Sequence, residues 1–353
     1  MKSGWAKTIA GVGLIILGLA AARSADGFGS GYGAAATGGT TACLVTNLND
    51  SGSGSLRDAL SAGGRDITFG VSGTIEIASG IAIPSNTTLD GTGHSITIHG
   101  HYASISNQKN IIIKNIRFRE DRTAPAKKCS LQGSACSEVM IDHCSIEWAT
   151  YDNCEFTCGS SNITVQYCII GASIASQYSG CLIDTGNRVS LHHNLWIDNK
   201  TRNPKLKGNC QYINNVVYNW GVTGGIVGGH SSAVWTCDLI NNYFIKGPSS
   251  ATDAWATGCT ATDRWYQSGN YKDLDQDGRL NGTLIPVAEF AALGVTLLPS
   301  VQHHPPIPVP VDSATTAVNA AAGGGWGAQP LDAVDAAYVG YLKSYGTAGV
   351  VGE

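Results

Sequence analysis

A chain of 353 residues that is 43% hydrophobic, with 45 glycines and only 14% charged residues, has the apolar content for a sizeable core and is not a disordered polymer. Abundant Gly, Asn, Ser and Thr with few strong helix formers points to a β-rich, turn-rich protein. The formal charge of −4 excludes a protein that gathers polyanions through its overall field, so nucleic acid is not an expected partner.

The first residues read as an export signal. Lys2 and Lys7 precede an apolar run from Ile9 to Ala21, and the small residues Ala20, Ala22 and Ser24 offer cleavage positions. The run is shorter than the ~20 residues needed to span a bilayer. Residues 1–24 are therefore expected to be removed, leaving a secreted or periplasmic protein with no membrane contact and a single domain over 25–353. The 11 cysteines suit an oxidising compartment. Cys129 with Cys136, and Cys154 with Cys158, are close enough to staple loops, although pairing does not follow from sequence.

After a Gly-rich entry, Ser55 and Asp58 fit the N-cap and N3 positions of a short helix carrying Leu56 and Leu60. Such a helix suits the covering of an open sheet end. Short strands follow in ITFGV, TIEI, IAI, NTTLDG and SITIHG.

A repeat then begins. NIIIKNIRF, EVMIDHCSI, NITVQYCII, RVSLHHNLW, CQYINNVVY and TCDLINNYF align with few gaps, placing Ile113, Ile141, Val165, Leu191, Ile213 and Ile240 in one column. Successive anchors lie 28, 24, 26, 22 and 27 residues apart, a period that describes strand-and-turn coils stacked as a parallel β-helix. Two positions after each anchor come Asn115, His143, Tyr167, His193, Asn215 and Asn242, which read as an interior hydrogen-bonding ladder. Cys144 and Cys168 also fall in register, as stacked thiols or a disulfide. His192 alternates to the opposite face from His193 and is the more open of the two.

The segment VSLHHNLWIDNKTRNPKLKG interrupts this monotony. Lys200, Arg202, Lys205 and Lys207 crowd into eight positions directly after a strand, marking a local site for an anion in an otherwise acidic chain. Farther on, DLDQDGRLNG presents Asp273, Asp275, Asp277 and Gly278 in the spacing of the first half of a calcium loop. Leu284 stands where such a loop has its bidentate Glu, so a structural calcium site and an ordinary polar turn are both open readings. SVQHHPPIPVPV then leaves as an extended strap, and Asp332 opens a helix with Val334, Tyr338, Tyr341 and Leu342 on one face, docked back on the coils.

The chain resembles the pectate lyase superfamily, polysaccharide lyase family 1. The likeness is carried by VTNLNDSGSGSLRDAL, NIIIKNIRFR, VMIDHCSIEWAT, NITVQYCII, LHHNLWIDNKTRNPKLKG with YINNVVYNWG, and PVPVDSA with LDAVDAAYV. The resemblance implies an all-β, single-stranded right-handed parallel β-helix with a short N-terminal capping helix and a C-terminal strap and helix. It implies cleavage of pectic polyuronate, an acidic plant cell-wall polysaccharide, by calcium-assisted β-elimination. Arg202 matches the family's catalytic base, Lys207 the second basic residue of R-x-P-x-x-[KR], and Pro204 its proline. Lys205, Lys200 and His192 join Lys207 as candidate substrate contacts. Asp142 and His143 match a D-H pair, read as structural support. Asp152 and Glu155 fall near the two acidic Ca²⁺ ligands.

Two departures stand out. The acidic residue of the D-A-[LI] triplet is missing, with Lys127, Lys128 or Cys129 in its place, and Glu120 or Asp121 just upstream is its expected substitute, Asp121 being taken as a ligand. The lysine after the C-I-I strand is also absent. These departures keep a calcium-independent pectin lyase on methylated chains, and a non-catalytic carbohydrate-binding β-helix, as alternatives. Taken on chemistry alone, Arg202 is a carboxylate clamp, because guanidinium is a poor base. A β-helix with both ends covered needs no partner copy, so a monomer is expected.

Overall fold

The structure, a computed structural model, describes residues 29–125, 128–174, 179–221 and 224–352. Residues 1–24 and Lys127 lie outside them. The short strands foreseen between residues 65 and 100 form as Arg65–Phe69, Gly73–Glu76, Ile81–Ala82, Thr87–Asp90 and Ile96–Gly100.

The strands stack as a parallel β-helix with three faces. One ladder runs through Thr87–Asp90, Lys109–Lys114, Ser137–Asp142 and Ser161–Gln166 to Trp235–Ile240. A second runs through Arg117–Glu120, Ser145–Glu147, Ile169–Gly171, Leu195–Ile197 and Val216–Tyr218. A third contains Leu131–Ser134 and Asp152–Thr157. Two long strands, Ser179–His192 and Lys205–Ile213, bend from the third face into the first, with a register shift between Thr185 and Val189. Apolar side chains alternate inward and fill one continuous core, as period-two patterning requires.

The anchor column is real, but it shifts by one residue in the later coils. Leu191 pairs with Tyr212, and Tyr212 with Leu239, where Ile213 and Ile240 were expected. Both candidates sit in unbroken apolar runs, so periodicity could not separate them. The consequence is two columns rather than one. Asn115, His143, Tyr167, His193, Asn214 and Asn241 all take left-handed φ near +50°, and Gly269 continues the row with φ 64°. They form the corner of each coil, where Asn and Gly are favoured.

The interior ladder is the next position. The backbone N–H of Cys168 donates to Asn194 Oδ1, that of Asn194 to Asn215, that of Asn215 to Asn242 and that of Asn242 to Asn270. These asparagines are fully buried, and each satisfies an amide that the corner would otherwise leave without a partner. Cys144 and Cys168 continue the ladder as thiols, the Cys144 N–H lying 3.3 Å from Cys168 Sγ. All 11 cysteines are free, so neither expected loop staple forms.

The helix Leu56–Ala59 begins at Ser55, whose hydroxyl accepts from the Asp58 N–H, and it buries Leu56 and Ala59. At the other end, Ala333–Lys343 is capped by Asp332, as expected. A second helix, Ala314–Ala322, was not foreseen; Ser313 caps it, its hydroxyl accepting from the Thr316 N–H. Both pack on the second face with Tyr218, Tyr243 and Trp326. A buried ionic knot fastens Ala333–Lys343: Arg117 meets Asp335 at 2.6 Å, and Arg119 meets Glu147 at 2.6 Å and Asp332 at 2.5 Å. No helix among the described residues is long and apolar enough to cross a membrane.

Candidate active site

Three successive coils build the site on the third face. Asp152 pairs with Ser179, and Ser179 bridges to Thr201, which brings the turn at Arg202 over the strand that starts at Asp152. The turn is anchored through its backbone. Cys181 N–H donates to the Arg202 carbonyl at 2.7 Å, and Tyr212 Oη donates to that of Asn203 at 2.8 Å. Gly180 permits this approach, since a Cβ there would lie 2.6 Å from the Arg202 carbonyl oxygen. Arg202 has φ 56°, and the Asn203–Pro204 peptide is cis, so Pro204 lies within the turn itself.

The Arg202 guanidinium donates from one nitrogen to both oxygens of Asp152, at 2.9 and 3.1 Å, and its centre lies 5.5 Å from the Tyr151 ring. Burial alone would favour losing that proton, but Asp152 and Tyr151 outweigh it and raise the pKa. Asp152 is wholly buried. Burial pushes its carboxyl up to about 6, and the Glu155 carboxylate adds to this, although Arg202 pulls the other way.

The strand Lys205–Ile213 turns Leu206 inward and leaves Lys205 and Lys207 partly exposed. Lys205 shares a strand row with Leu182 and Glu155, about 10 Å from Glu155 at the usual strand spacing. Its pKa is lowered by burial and then by the cations Arg202 and Lys207. Lys207 reaches Asp184 at 2.7 Å. Lys200 is half-buried in the same turn, its carbonyl accepting from Gly221 N–H. Arg202, Lys205 and Lys207 therefore converge with Asp152 and Glu155, the juxtaposition expected of the basic segment.

His192 does not join them. It is completely buried, with Nε2 3.0 Å from Ser30 Oγ and Nδ1 3.0 Å from His193 Nδ1. Residues 29–33 lie across its strand face, where Tyr32 N–H donates to Ser190 and Gly33 N–H to Thr164, a covering that alternation cannot reveal. Burial and then His193 hold its pKa well below the ordinary value. Asp142 and His143 bond to each other at 2.8 Å at the first-face corner, where His143, Tyr167 and His193 stack under Trp326. That placement accords with support rather than chemistry.

Among the described residues, the one group of three donors able to meet at an ion is Cys129, Asp152 and Glu155, with ligand atoms within 4.8 Å of one another. Asp121 is not in it; its Oδ1 accepts from Thr123 instead. The acid that reaches this segment is its neighbour Glu120, wholly buried, whose Oε2 accepts the Thr150 N–H at 2.7 Å while Oε1 has no partner among the described residues. Burial raises its pKa to about 7. Lys128 directs its ammonium at the Tyr102 ring, 4.9 Å away.

The chemistry of this donor set does not suit calcium. Ca²⁺ takes six to eight hard oxygens. Here one carboxylate is already bound by Arg202 and the third donor is sulfur, so the set does not make a calcium cage. In the acidic loop, Asn281 N–H donates to Asp273, and its side-chain nitrogen to Asp275 at 3.2 Å and Asp277 at 3.0 Å. Burial, reinforced by Asp275 and Asp277, raises Asp273 to about 6.

The sequence reading passed over Tyr151, which stacks on the guanidinium, and Asp184, the partner of Lys207. Neither lies in a motif, and both positions follow from coil register.

A parallel β-helix carrying R-x-P-x-x-K beside paired carboxylates defines a polysaccharide lyase. The relatives agree. The chain is 39% identical over 324 residues to a probable pectate lyase C of Aspergillus terreus, covering 90% of this chain and 77% of that protein. It is 37% identical over 329 residues to another of Emericella nidulans, covering 91% and 76%. The chain belongs to the pectate lyase family. Among solved structures, the thermostable pectate lyase PL 47 superposes with a TM-score of 0.64 at 17% identity, covering 86% of this chain and 97% of that one. The cedar pollen allergen jun a 1 gives 0.65 at 16%, covering 82% and 90%. At such identity these two speak for the fold. No family model matches the chain.

Proposed function

We propose that the protein cleaves polygalacturonate by β-elimination, with Arg202 accepting the C5 proton. The observation that carries this reading is the convergence of Arg202, Lys205 and Lys207 beside Asp152 on one face of the coil. Lys205 and Lys207 neutralise the uronate carboxylate, and so favour charge building toward an enolate at C5. The C5–H electron pair forms the C4–C5 double bond, the C4–O bond breaks, and the departing oxygen takes a proton from water. Arg202 must first be released from Asp152 and lose its own proton, so the rate rises with pH across the alkaline range.

Were calcium to assist, as the resemblance implies, Asp152 and Glu155 would hold it and it would offset the uronate charge, but the sulfur of Cys129 beside them does not suit that ion. That same sulfur-containing set favours a second reading, a calcium-independent pectin lyase on methylated chains. The substrate is an extracellular plant polymer, in keeping with removal of residues 1–24 and export, and the protein acts as a monomer.

The test is absorbance of the 4,5-unsaturated end on polygalacturonate and on methylated pectin, with and without calcium. A rise on polygalacturonate supports the leading reading. A calcium-independent rise only on methylated pectin supports the second, and silence on both refutes a pectinolytic lyase.

A further inference from the structure

The buried cysteines are not all alike. Cys154 pairs with Cys181 across adjacent inward-facing strands, Cys210 faces Cys237 with sulfurs 3.2 Å apart, and Cys144 stacks on Cys168. Those thiols fill core positions beside one another, as small apolar side chains do. Cys129 does not. It is 2% exposed, and its Sγ lies within 4.8 Å of carboxylate oxygens of both Asp152 and Glu155. A thiol placed for packing alone gains nothing from two carboxylates, which repel any thiolate character.

We propose that Cys129, Asp152 and Glu155 form a site for a borderline divalent cation of the zinc or cobalt kind, bound through the Cys129 sulfur, in preference to Ca²⁺. A soft sulfur with two carboxylates suits such metals, which accept mixed S and O donors at low coordination number, whereas Ca²⁺ requires many hard oxygens. Three protein ligands leave a coordination position open to water or substrate. One further observation points to a cation here. Among the described residues, no hydrogen bond or ion pair reaches the Glu155 carboxylate, which leaves it available. On binding, the thiol gives its proton to solvent, a sulfur–metal bond forms, and the protein's oxidation state is unchanged. The metal and Arg202 compete for Asp152, so occupancy loosens the guanidinium.

This inference uses the location assigned under the proposed function but not its reaction, and the two are tested apart. The full-length mature protein, stripped of metal, is titrated with Co²⁺ while a thiolate-to-cobalt charge-transfer band is followed in the near ultraviolet. Calorimetric titrations with Zn²⁺ and Ca²⁺ accompany it. The expected result is one equivalent of Co²⁺ giving the band, and Zn²⁺ binding at least ~100-fold tighter than Ca²⁺. Cys129→Ser removes the band and weakens Zn²⁺ by ~10–100-fold, Cys158→Ser leaves both unchanged, and Cys129→Asp shifts the preference toward Ca²⁺. Glu155→Gln, at a partly exposed position, serves as a second variant should Cys129 substitutions unfold the chain. It weakens Co²⁺ while keeping the band. Absence of the band, its persistence in Cys129→Ser, or Ca²⁺ binding as tightly as Zn²⁺ overturns the proposal. A band without lyase activity leaves this site standing and refutes only the reaction, and activity without a band does the reverse.

Discussion

Removing the carboxylate of Asp335 should loosen the C-terminal helix more than any surface substitution. Arg117 and Asp335 are both fully buried and meet at 2.6 Å. The guanidinium also donates to the carbonyls of Ala328 and Pro330, and to Ser95. Without Asp335 it keeps those neutral acceptors, with Asp332 farther off at 3.4 Å. Breaking a buried pair in this way costs about 3–5 kcal/mol. At ~2.1 cal/mol/K per residue over roughly 320 residues, the unfolding entropy is ~0.7 kcal/mol/K, which translates to a Tm loss of ~4–7 °C. Circular dichroism melts of Asp335→Ala read this directly. The double variant Arg117→Met/Asp335→Ala removes both charges and should recover part of the loss. A single variant melting within 1 °C of the parent, or a double variant worse than the sum of the singles, refutes the reasoning.

Other consequences follow from the site. Glu120 has a folded pKa of about 7 against an ordinary 4.5, so its charge opposes folding and its contribution is lost as pH rises from 4.5 through 7. The stability difference between Glu120→Gln and the parent should therefore grow by up to ~3 kcal/mol between pH 4 and 8, measured by urea unfolding; a pH-independent difference contradicts it. Lys207→Ala leaves the Asp184 carboxylate facing a polyanion and removes charge that favours the enolate, so it should both raise KM for polygalacturonate and lower kcat, with kcat/KM down by ~10-fold or more. Asp184→Asn should lower KM, and equal KM values in parent and variants would remove Lys207 from the groove. If the acidic loop Asp273–Asp277 binds calcium, chelation should lower Tm by a few degrees in the parent and not in Asp277→Ala, with initial rates at 25 °C unchanged; identical melts with calcium and with chelator mark a polar turn.

The repeat was legible in the sequence because a coil must present an apolar anchor inward at every turn, and Ile113, Ile141, Val165 and Leu191 do so with a polar residue directly after each. It failed by one residue at Tyr212 and Leu239, where neighbours are equally apolar and only stacking decides. Capping chemistry was readable at Ser55 and Asp332 because one side chain satisfies the orphan amides of its own helix. Arg202 and Asp152, which meet in an ion pair, were singled out through motif positions, as was Glu155 in the same strand as Asp152. His192 was misplaced because its cover comes from residues more than a hundred and fifty positions earlier. Cys129 was visible only as one of three candidates, with Lys127 and Lys128, for a missing acid's position, and its closeness to two carboxylates depends on the register of neighbouring coils, which no local pattern encodes.

The account rests on the proton acceptor at position 202, and turnover of Arg202→Ala on polygalacturonate tests it most directly. With the melt of the variant confirming the fold, the unsaturated-product absorbance should fall by ~10²–10⁴-fold relative to the parent, and Arg202→Lys should recover little of it. Turnover of Arg202→Ala within a few-fold of the parent would contradict the account.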